Sequence, residues 1–257
     1  MRKYEKSHPW ITFNLDFRRL SYSTWMTLGE IKSKCEHIAQ TPLSPEIAKR
    51  MHFLFLAKGA QGTTAIEGNT LSEQEVLDSI EGKLELPPSK KYLGKEIENI
   101  VGACNSIGSD LLEGNPTEID CNRLREFNKM VLNDLEVEEG IIPGEIRNYS
   151  VGVTGARYKG APAEDCEFLL NSLCTWLNNN FKAPNDTEAI IYGVIKAIVS
   201  HIYIAWIHPF GDGNGRTARL IEFQILLASG MPTPAAHLLS NYYNETRQEY
   251  YLSLIHI

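Results

Sequence analysis

The run from Ala189 to Ile207, AIIYGVIKAIVSHIYIAWI, limits how this chain can fold more than any other segment. It is long enough to span a bilayer. Lys196 near its centre argues against insertion, at a cost of about 2.5–3.5 kcal/mol on insertion scales. Ser200 and His201 add to that cost. A helix that is apolar on most of its circumference must then be buried among other helices. The chain is large enough to surround it. It has 257 residues, 43% of them hydrophobic, which is sufficient for a sizeable core without disulfide staples.

The rest of the chain reads as helices with one exception. Ser44 followed by Pro45 is a helix start, and the periodic run to Lys58 should be broken by Gly59 and Gly62. Ser72 to Glu75 is a capping box, with a helix expected to about Glu81. The stretch from Gly82 to Lys91, with its two prolines, is the best linker. Helices are then expected over Tyr92 to Glu113, Glu118 to Asn133, Glu164 to Phe181, Thr187 to Trp206 and Gly215 to Ser229, with a last one from about Ser240. The exception is Glu139 to Asp165, with five glycines and two prolines. There Val151 to Val153 and Arg157 to Tyr158 flank Thr154 and Gly155, the pattern of a short hairpin. The class is all-α with one hairpin.

Charge and cysteine usage narrow the function. The net charge is −7, so a nucleic-acid ligand is not expected. The five cysteines form no CxxC pair, which fits reduced thiols rather than a metal cluster. No secretory signal is visible at the start, so a cytoplasmic protein without a membrane segment is the expectation.

The chemistry gathers in His208 to Arg219, HPFGDGNGRTAR, between the apolar helix and the next one. Gly211, Gly213 and Gly215 let the backbone approach a ligand closely, and the free N–H groups of the following helix make an anion site. Asp212 is a hard oxygen ligand suited to Mg²⁺ shared with phosphates. Asn214 supplies an amide. Arg216 and Arg219 lie on one helix face and can clamp phosphate oxygens. His208 can accept a proton near neutral pH. Singly, each residue is unremarkable, as a helix-end histidine or a surface arginine. Together they point to phosphoryl or nucleotidyl transfer with His208 as base.

The segment resembles the active-site motif of the Fic (filamentation induced by cAMP) family, HxFx(D/E)GN(G/K)R. His208, Phe210, Asp212, Gly213, Asn214, Gly215 and Arg216 match it, and Arg219 stands where a second arginine often follows. The resemblance implies an all-α Fic-fold helical bundle and a protein adenylyltransferase, moving AMP from Mg-ATP to a Tyr, Thr or Ser hydroxyl of a target protein. His208 would take the hydroxyl proton, and Asp212 would hold Mg²⁺. Asn214 and the N–H groups around Gly213 and Gly215 would bind the α-phosphate. Arg216 and Arg219 would bind the outer phosphates, and Tyr251 the nucleotide from the last helix. Phe210 would be a core anchor.

The resemblance reaches further. Pro143 to Arg147 is similar to the family's PGxxR segment, which places the hairpin with Val151, Val153, Arg157 and Tyr158 at the target-docking flap. Thr63 and Glu67, in QGTTAIEGNTL, resemble the inhibitory motif (S/T)xxxE(G/N). Glu67 would then pair with Arg219 and occupy the γ-phosphate space. These matches divide the chain into an N-terminal helical region at 1–90, carrying the inhibitory motif, and a Fic core at 91–257. The chain stops at SLIHI inside a helical pattern, as a shortened C-terminus would.

Four activities stay open on these residues. They are AMP transfer restrained by Glu67, hydrolytic removal of AMP using Glu67 and His208, use of another nucleotide or phosphate transfer, and a nucleotide-sensing module without turnover. Glycine rather than lysine at Gly215 argues against a kinase-like relative, and intact His208 and Asp212 argue against a pure binder. Target identity is not legible, and the oligomeric state is open, a homodimer among the options.

Overall fold

A computed structural model of the chain describes residues 2–152 and 158–255. Among them are eleven α-helices: α1 (Tyr4–Ser7), α2 (Tyr22–Gln40), α3 (Pro45–Ile66), α4 (Glu73–Ile80), α5 (Lys91–Leu112), α6 (Cys121–Val131), α7 (Ala163–Asn180), α8 (Ala189–Ile207), α9 (Asn214–Ala228), α10 (Thr233–Glu245) and α11 (Arg247–Ile255). The apolar run is α8. It lies at the centre against α9, with α7, α2 and α11 around it. It is long and apolar enough to cross a membrane, yet 56% of its most apolar window is buried inside the bundle. On its other side α9 packs on α5, α6 and α10, and α3 packs along α10.

Several starts follow the expected chemistry. Ser44 accepts from the Ile47 N–H, with Pro45 in the first turn of α3. At α4, Ser72 N–H donates to Glu75 at 2.8 Å and Glu75 N–H to Ser72 Oγ at 3.3 Å, the reciprocal capping box. Asp120 caps α6 by accepting from Arg123 N–H at 2.7 Å.

The structure corrects three expectations. First, Gly59 and Gly62 do not end the helix begun at Pro45; α3 continues to Ile66. A Cβ on Gly62 would stand 2.7 Å from the Asn241 backbone, and one on Gly59 2.9 Å from His237 Nδ1. The glycines form a notch for α10, and this close packing offsets a helix-propensity cost of about 1 kcal/mol each. Second, the C-terminal part forms two helices. Pro232 and Pro234 start α10 several residues before Ser240, as proline in a first turn does. Third, the hairpin is not seen as strands. Among the described residues the backbone pairs at two isolated antiparallel bridges, Ile146 with Phe210 and Gly152 with Lys159. The second bridge, with Gly160 N–H donating to the Val151 carbonyl at 3.1 Å, closes the base of the expected flap. Val153 and Arg157 lie outside the described residues.

α2 was not outlined by the sequence reading. Ser21 caps it, accepting from Thr24 N–H at 3.1 Å, and only Leu28 and Cys35 on it are buried. That sparse apolar face explains why its periodicity is weak.

Candidate functional site

The motif loop joins the two central helices. α8 ends at His208, whose backbone takes the left-handed conformation (φ 48°, ψ 60°), turning the chain sharply toward α9. Phe210, 1% exposed, anchors the loop in the core. Asn214 closes it. Its Oδ1 accepts from Phe210 N–H and its Nδ2 donates to Phe210 O, both at 2.9 Å. The amide expected to face a ligand thus also holds the loop in shape.

Arg147 fixes the loop from the other side. It is buried, and among the described residues its guanidinium donates only to carbonyls: His208 at 2.7 Å, Tyr149 and Ala161 at 2.5 Å, and Ile207 at 3.3 Å. Its own N–H donates to Pro209 O at 3.0 Å. Two of those carbonyls belong to the end of α8, where helical partners run out. Sequence reading picked out the segment of Arg147 but not this role. Nor did it find Asn128, whose Nδ2 donates to Asp212 O at 2.8 Å while its Oδ1 accepts from Gly144 N–H at 2.9 Å.

α9 begins with Gly213 in the left-handed region (φ 74°) and with no side-chain cap. Its first-turn N–H groups therefore stay available, an arrangement that favours an anion. Asp212 accepts from Gly213 N–H at 2.5 Å and lies 3.4 Å from Arg216 Nη2, with its side chain about half exposed. The space beside Asp212 and Arg216 opens into a cleft of about 680 Å³ that Tyr92, Lys95 and Leu132 also line. Arg216 is buried, 3.5 Å from Glu96, and its Nε has no hydrogen-bond partner among the described residues.

Glu67 lies on this helix start. A Cβ on Gly215 would stand 2.5 Å from Glu67 Oε1, so glycine is required there for the carboxylate to approach. The same oxygen accepts from Arg219 Nη2 at 2.6 Å. Arg219 is buried and also donates to Thr63 Oγ1 at 2.6 Å, Thr63 O at 3.0 Å and Tyr250 Oη at 3.0 Å. Thr63 and Glu67 lie 156 and 152 residues from Arg219 in sequence and form one cluster with it. Tyr251 sits beside it, donating to Ile66 O at 3.2 Å. Tyr250, its buried neighbour, was missed as a site residue.

The electrostatics follow from burial and pairing. Burial pushes the His208 imidazole down to about 4, opposed by a hydrogen bond to the Ala205 carbonyl and by Glu67 and Asp212, and helped by the Arg147 charge. Burial alone would raise the Glu67 carboxyl, but the Arg219 charge and hydrogen bond outweigh it and hold the group below its ordinary value. Burial likewise opposes the Arg219 charge, and Tyr250 and Glu67 reverse that. His208 is thus a neutral base and Glu67 a carboxylate at neutral pH. Among the described residues no group of three or more His, Cys, Asp or Glu side chains could hold a metal by itself. A single half-exposed carboxylate at Asp212 does suit Mg²⁺ carried in on phosphates.

At the flap base, a Cβ on Gly160 would stand 2.8 Å from both His208 Cβ and Arg147 Nη2, so this segment lies directly against the histidine. Tyr158 turns inward. Its hydroxyl donates to Trp206 O at 2.9 Å, its ring meets His8 and Trp10, and burial raises its hydroxyl well above the ordinary range. His8 also contacts Lys159 O at 3.0 Å, so the first residues of the chain pack against Tyr158 and Lys159.

Residues 118–226 match the Fic/DOC family. Over 228 residues the chain is 28% identical to "Protein adenylyltransferase fic-1" of Caenorhabditis elegans, covering 89% of this chain and 41% of that protein. It is 31% identical over 170 residues to "Protein adenylyltransferase Fic" of Nematostella vectensis, covering 66% and 37%. The chain therefore spans about two fifths of the length of the curated relatives it matches. Among solved structures, a Fic family protein from Desulfovibrio desulfuricans G20 superposes with a TM-score of 0.68 at 24% identity, covering 90% of this chain and 64% of that one. Fic-1 (aa134–508) from C. elegans superposes at 0.61 and 21%, covering 89% and 70%. At these identities the likeness is one of fold.

Proposed function

Because the chain carries a Fic/DOC family domain over residues 118–226, we propose that it is a protein adenylyltransferase restrained by its own Glu67. The observation that carries this reading is the uncapped start of α9, facing His208 and Asp212 and covered by the Glu67 carboxylate.

In the proposed reaction the α-phosphate of ATP sits on the first-turn N–H groups of α9, around Gly213, Asn214 and Gly215. Asn214 keeps the loop shaped to receive it. Arg216 and Arg219 take the outer phosphates, and Tyr251 contributes from α11 to nucleotide binding. Mg²⁺, when bound at Asp212, neutralises phosphate charge. His208 accepts the proton of a target Tyr, Thr or Ser hydroxyl, whose oxygen bonds to the α-phosphorus as pyrophosphate leaves. The neutral state of His208 supports this role, since only the neutral ring can accept a proton. The flap assigned to Val151, Val153, Arg157 and Tyr158 docks the target segment through its main chain. Glu67 competes for the place of the outer phosphates by holding Arg219, so Thr63 and Glu67 act as the inhibitory element of an N-terminal region at 1–90, with the transferase core at 91–257.

A second reading shares the site. Glu67 Oε2 has no hydrogen bond among the described residues, and a third of the side chain is exposed. That oxygen can hold a water for hydrolytic removal of AMP from a modified target.

Labelled ATP separates the readings. With α-label and Mg²⁺, protein labelling is expected in the Glu67→Gly variant, weak in wild type and absent in Glu67→Gly/His208→Ala. γ-label on protein would make it a kinase. No labelling with any variant, together with AMP release from an adenylylated target, would replace the transferase by the hydrolase.

A further inference from the structure

Behind Arg219 a line of buried polar groups runs away from the site. Arg219 Nη1 meets Tyr250 Oη at 3.0 Å, and Tyr250 Oη meets His201 Nε2 at 2.9 Å. His201 Nδ1 meets Glu222 Oε2 at 3.0 Å, and Tyr243 donates to Glu222 Oε1 at 2.9 Å. His201 and Glu222 are 3% and 2% exposed. The reaction outlined above makes no use of this chain.

Hydrogen-bond accounting gives the chain a direction. The Arg219 guanidinium can only donate, so the Tyr250 oxygen accepts from it. The Tyr250 proton then has His201 Nε2 as its partner, which must accept. That leaves the His201 proton on Nδ1, where it donates to Glu222. Every group is satisfied in this arrangement; a proton on Nε2 would leave the Tyr250 hydroxyl without an acceptor.

The contacts of Arg219 also divide by origin. Three of the four come from Thr63 and Glu67, at the end of α3. The fourth comes from Tyr250, on α11. When Glu67 yields its place, Thr63 and Tyr250 still hold the guanidinium, and of these two Tyr250 lies outside the α3 end that carries Glu67.

We infer that Tyr250, itself oriented by His201, is a positioning residue that keeps Arg219 aimed at the outer phosphates of the nucleotide. This rests on the reading of Arg219 as a phosphate-binding group. His201 holds the Tyr250 proton away from Arg219, so that the oxygen presents a lone pair to the guanidinium. The role is specific to the outer phosphates, because the α-phosphate is held by the start of α9 and not by Arg219.

The test measures binding of ATP and of AMP, with Mg²⁺, by calorimetry in the Glu67→Gly/His208→Ala protein, which is free of the competing carboxylate and does not turn over. The readout is the preference for ATP over AMP. Tyr250→Phe is expected to reduce it about tenfold, by loss of one hydrogen bond to a charged group, with AMP affinity unchanged. His201 separates positioning from mere support. His201→Gln, whose amide oxygen can replace Nε2 as acceptor, is expected to keep the preference. His201→Asn, whose amide can replace only Nδ1, is expected to lose it even if Tyr250→Phe does not fold. Tyr243→Phe, an equally buried deletion at the far end, is expected to leave the preference intact. Equal preference in all four variants, or an equal loss in all four, overturns the inference. A parent that binds AMP as tightly as ATP overturns both the inference and the phosphate role of Arg219 on which it rests.

Discussion

Glu67 Oε1 lies 2.6 Å from Arg219 Nη2, and it does so against the Cα of Gly215 at the start of α9. The pair is asymmetric. The Glu67 side chain is a third exposed, whereas that of Arg219 is 2% exposed. An exposed pair would contribute at most about 1 kcal/mol. Here the loss falls on a buried guanidinium, which keeps its contacts to Thr63 and Tyr250.

Glu67→Gly is therefore expected to raise AMP transfer and to cost about 1–2 kcal/mol of stability, more than an exposed ion pair would. The rise should be about tenfold or greater, the factor that 1.4 kcal/mol of removed competition represents. Urea unfolding and α-label incorporation on the same preparations check both. Unchanged transfer would remove Glu67 from the inhibitory role.

Arg147 makes a separate prediction. Its planar fork holds four carbonyls around the end of α8, including that of His208. Arg147→Ala leaves those carbonyls unpaired and is expected to cost about 3 kcal/mol. Arg147→Lys retains charge without the fork and should recover little of it. In the Glu67→Gly background, transfer by Arg147→Lys should fall at temperatures where the protein is still folded, because His208 is no longer held. Full activity in the folded Arg147→Lys variant would show that His208 is oriented by the α8 end alone.

The division between what the sequence displayed and what it hid is physical. The motif loop was legible because its residues are contiguous and chemically distinct, from His208 to Arg219. Thr63 and Glu67 were legible by their spacing. Arg147 and Asn128 were hidden in their roles because they bind main-chain atoms far away in sequence, and a carbonyl leaves no mark on residue type. His201 was passed over for a similar reason: its partners, Glu222 and Tyr250, come from two other helices. Gly59 and Gly62 misled because a glycine that ends a helix and one that admits a neighbouring helix are the same letter. Only the position of α10 tells them apart.

That distinction can be tested by alanine. Gly62→Ala places a methyl 2.7 Å from the Asn241 backbone, which cannot swing aside. Despite better helix propensity, it is expected to lose about 1–3 kcal/mol. Gly29 in α2 has nothing within 4 Å of its would-be Cβ, so Gly29→Ala should gain about 0.5–1 kcal/mol. Thermal melts of both variants suffice. Stabilisation by Gly62→Ala would mean that α3 and α10 are not packed as closely as the notch requires.

A last prediction concerns pH. Burial lowers His208 from 6.5 to about 4, and it lowers His237, aided by repulsion from His52, by the same amount. His237 stacks on Phe223, ring centroids 4.5 Å apart, beside the Gly59 notch. Between these values the unfolded chain binds protons that the folded one refuses, so stability rises with pH across this window. The stabilising effect is complete above about 6.5 and is lost as pH falls toward 4. It is of the order of 3 kcal/mol for each histidine at the foot of that range. Unfolding free energies measured from pH 7.5 to 4.5 should decline accordingly, and His208→Asn and His237→Asn should each flatten the decline. An imidazole titration of the free protein by NMR should find both rings neutral at pH 6. If His208 instead titrates near 6.5, its ring is solvated rather than buried, and a proton acceptor that is fully neutral at pH 6 is no longer available to the target hydroxyl.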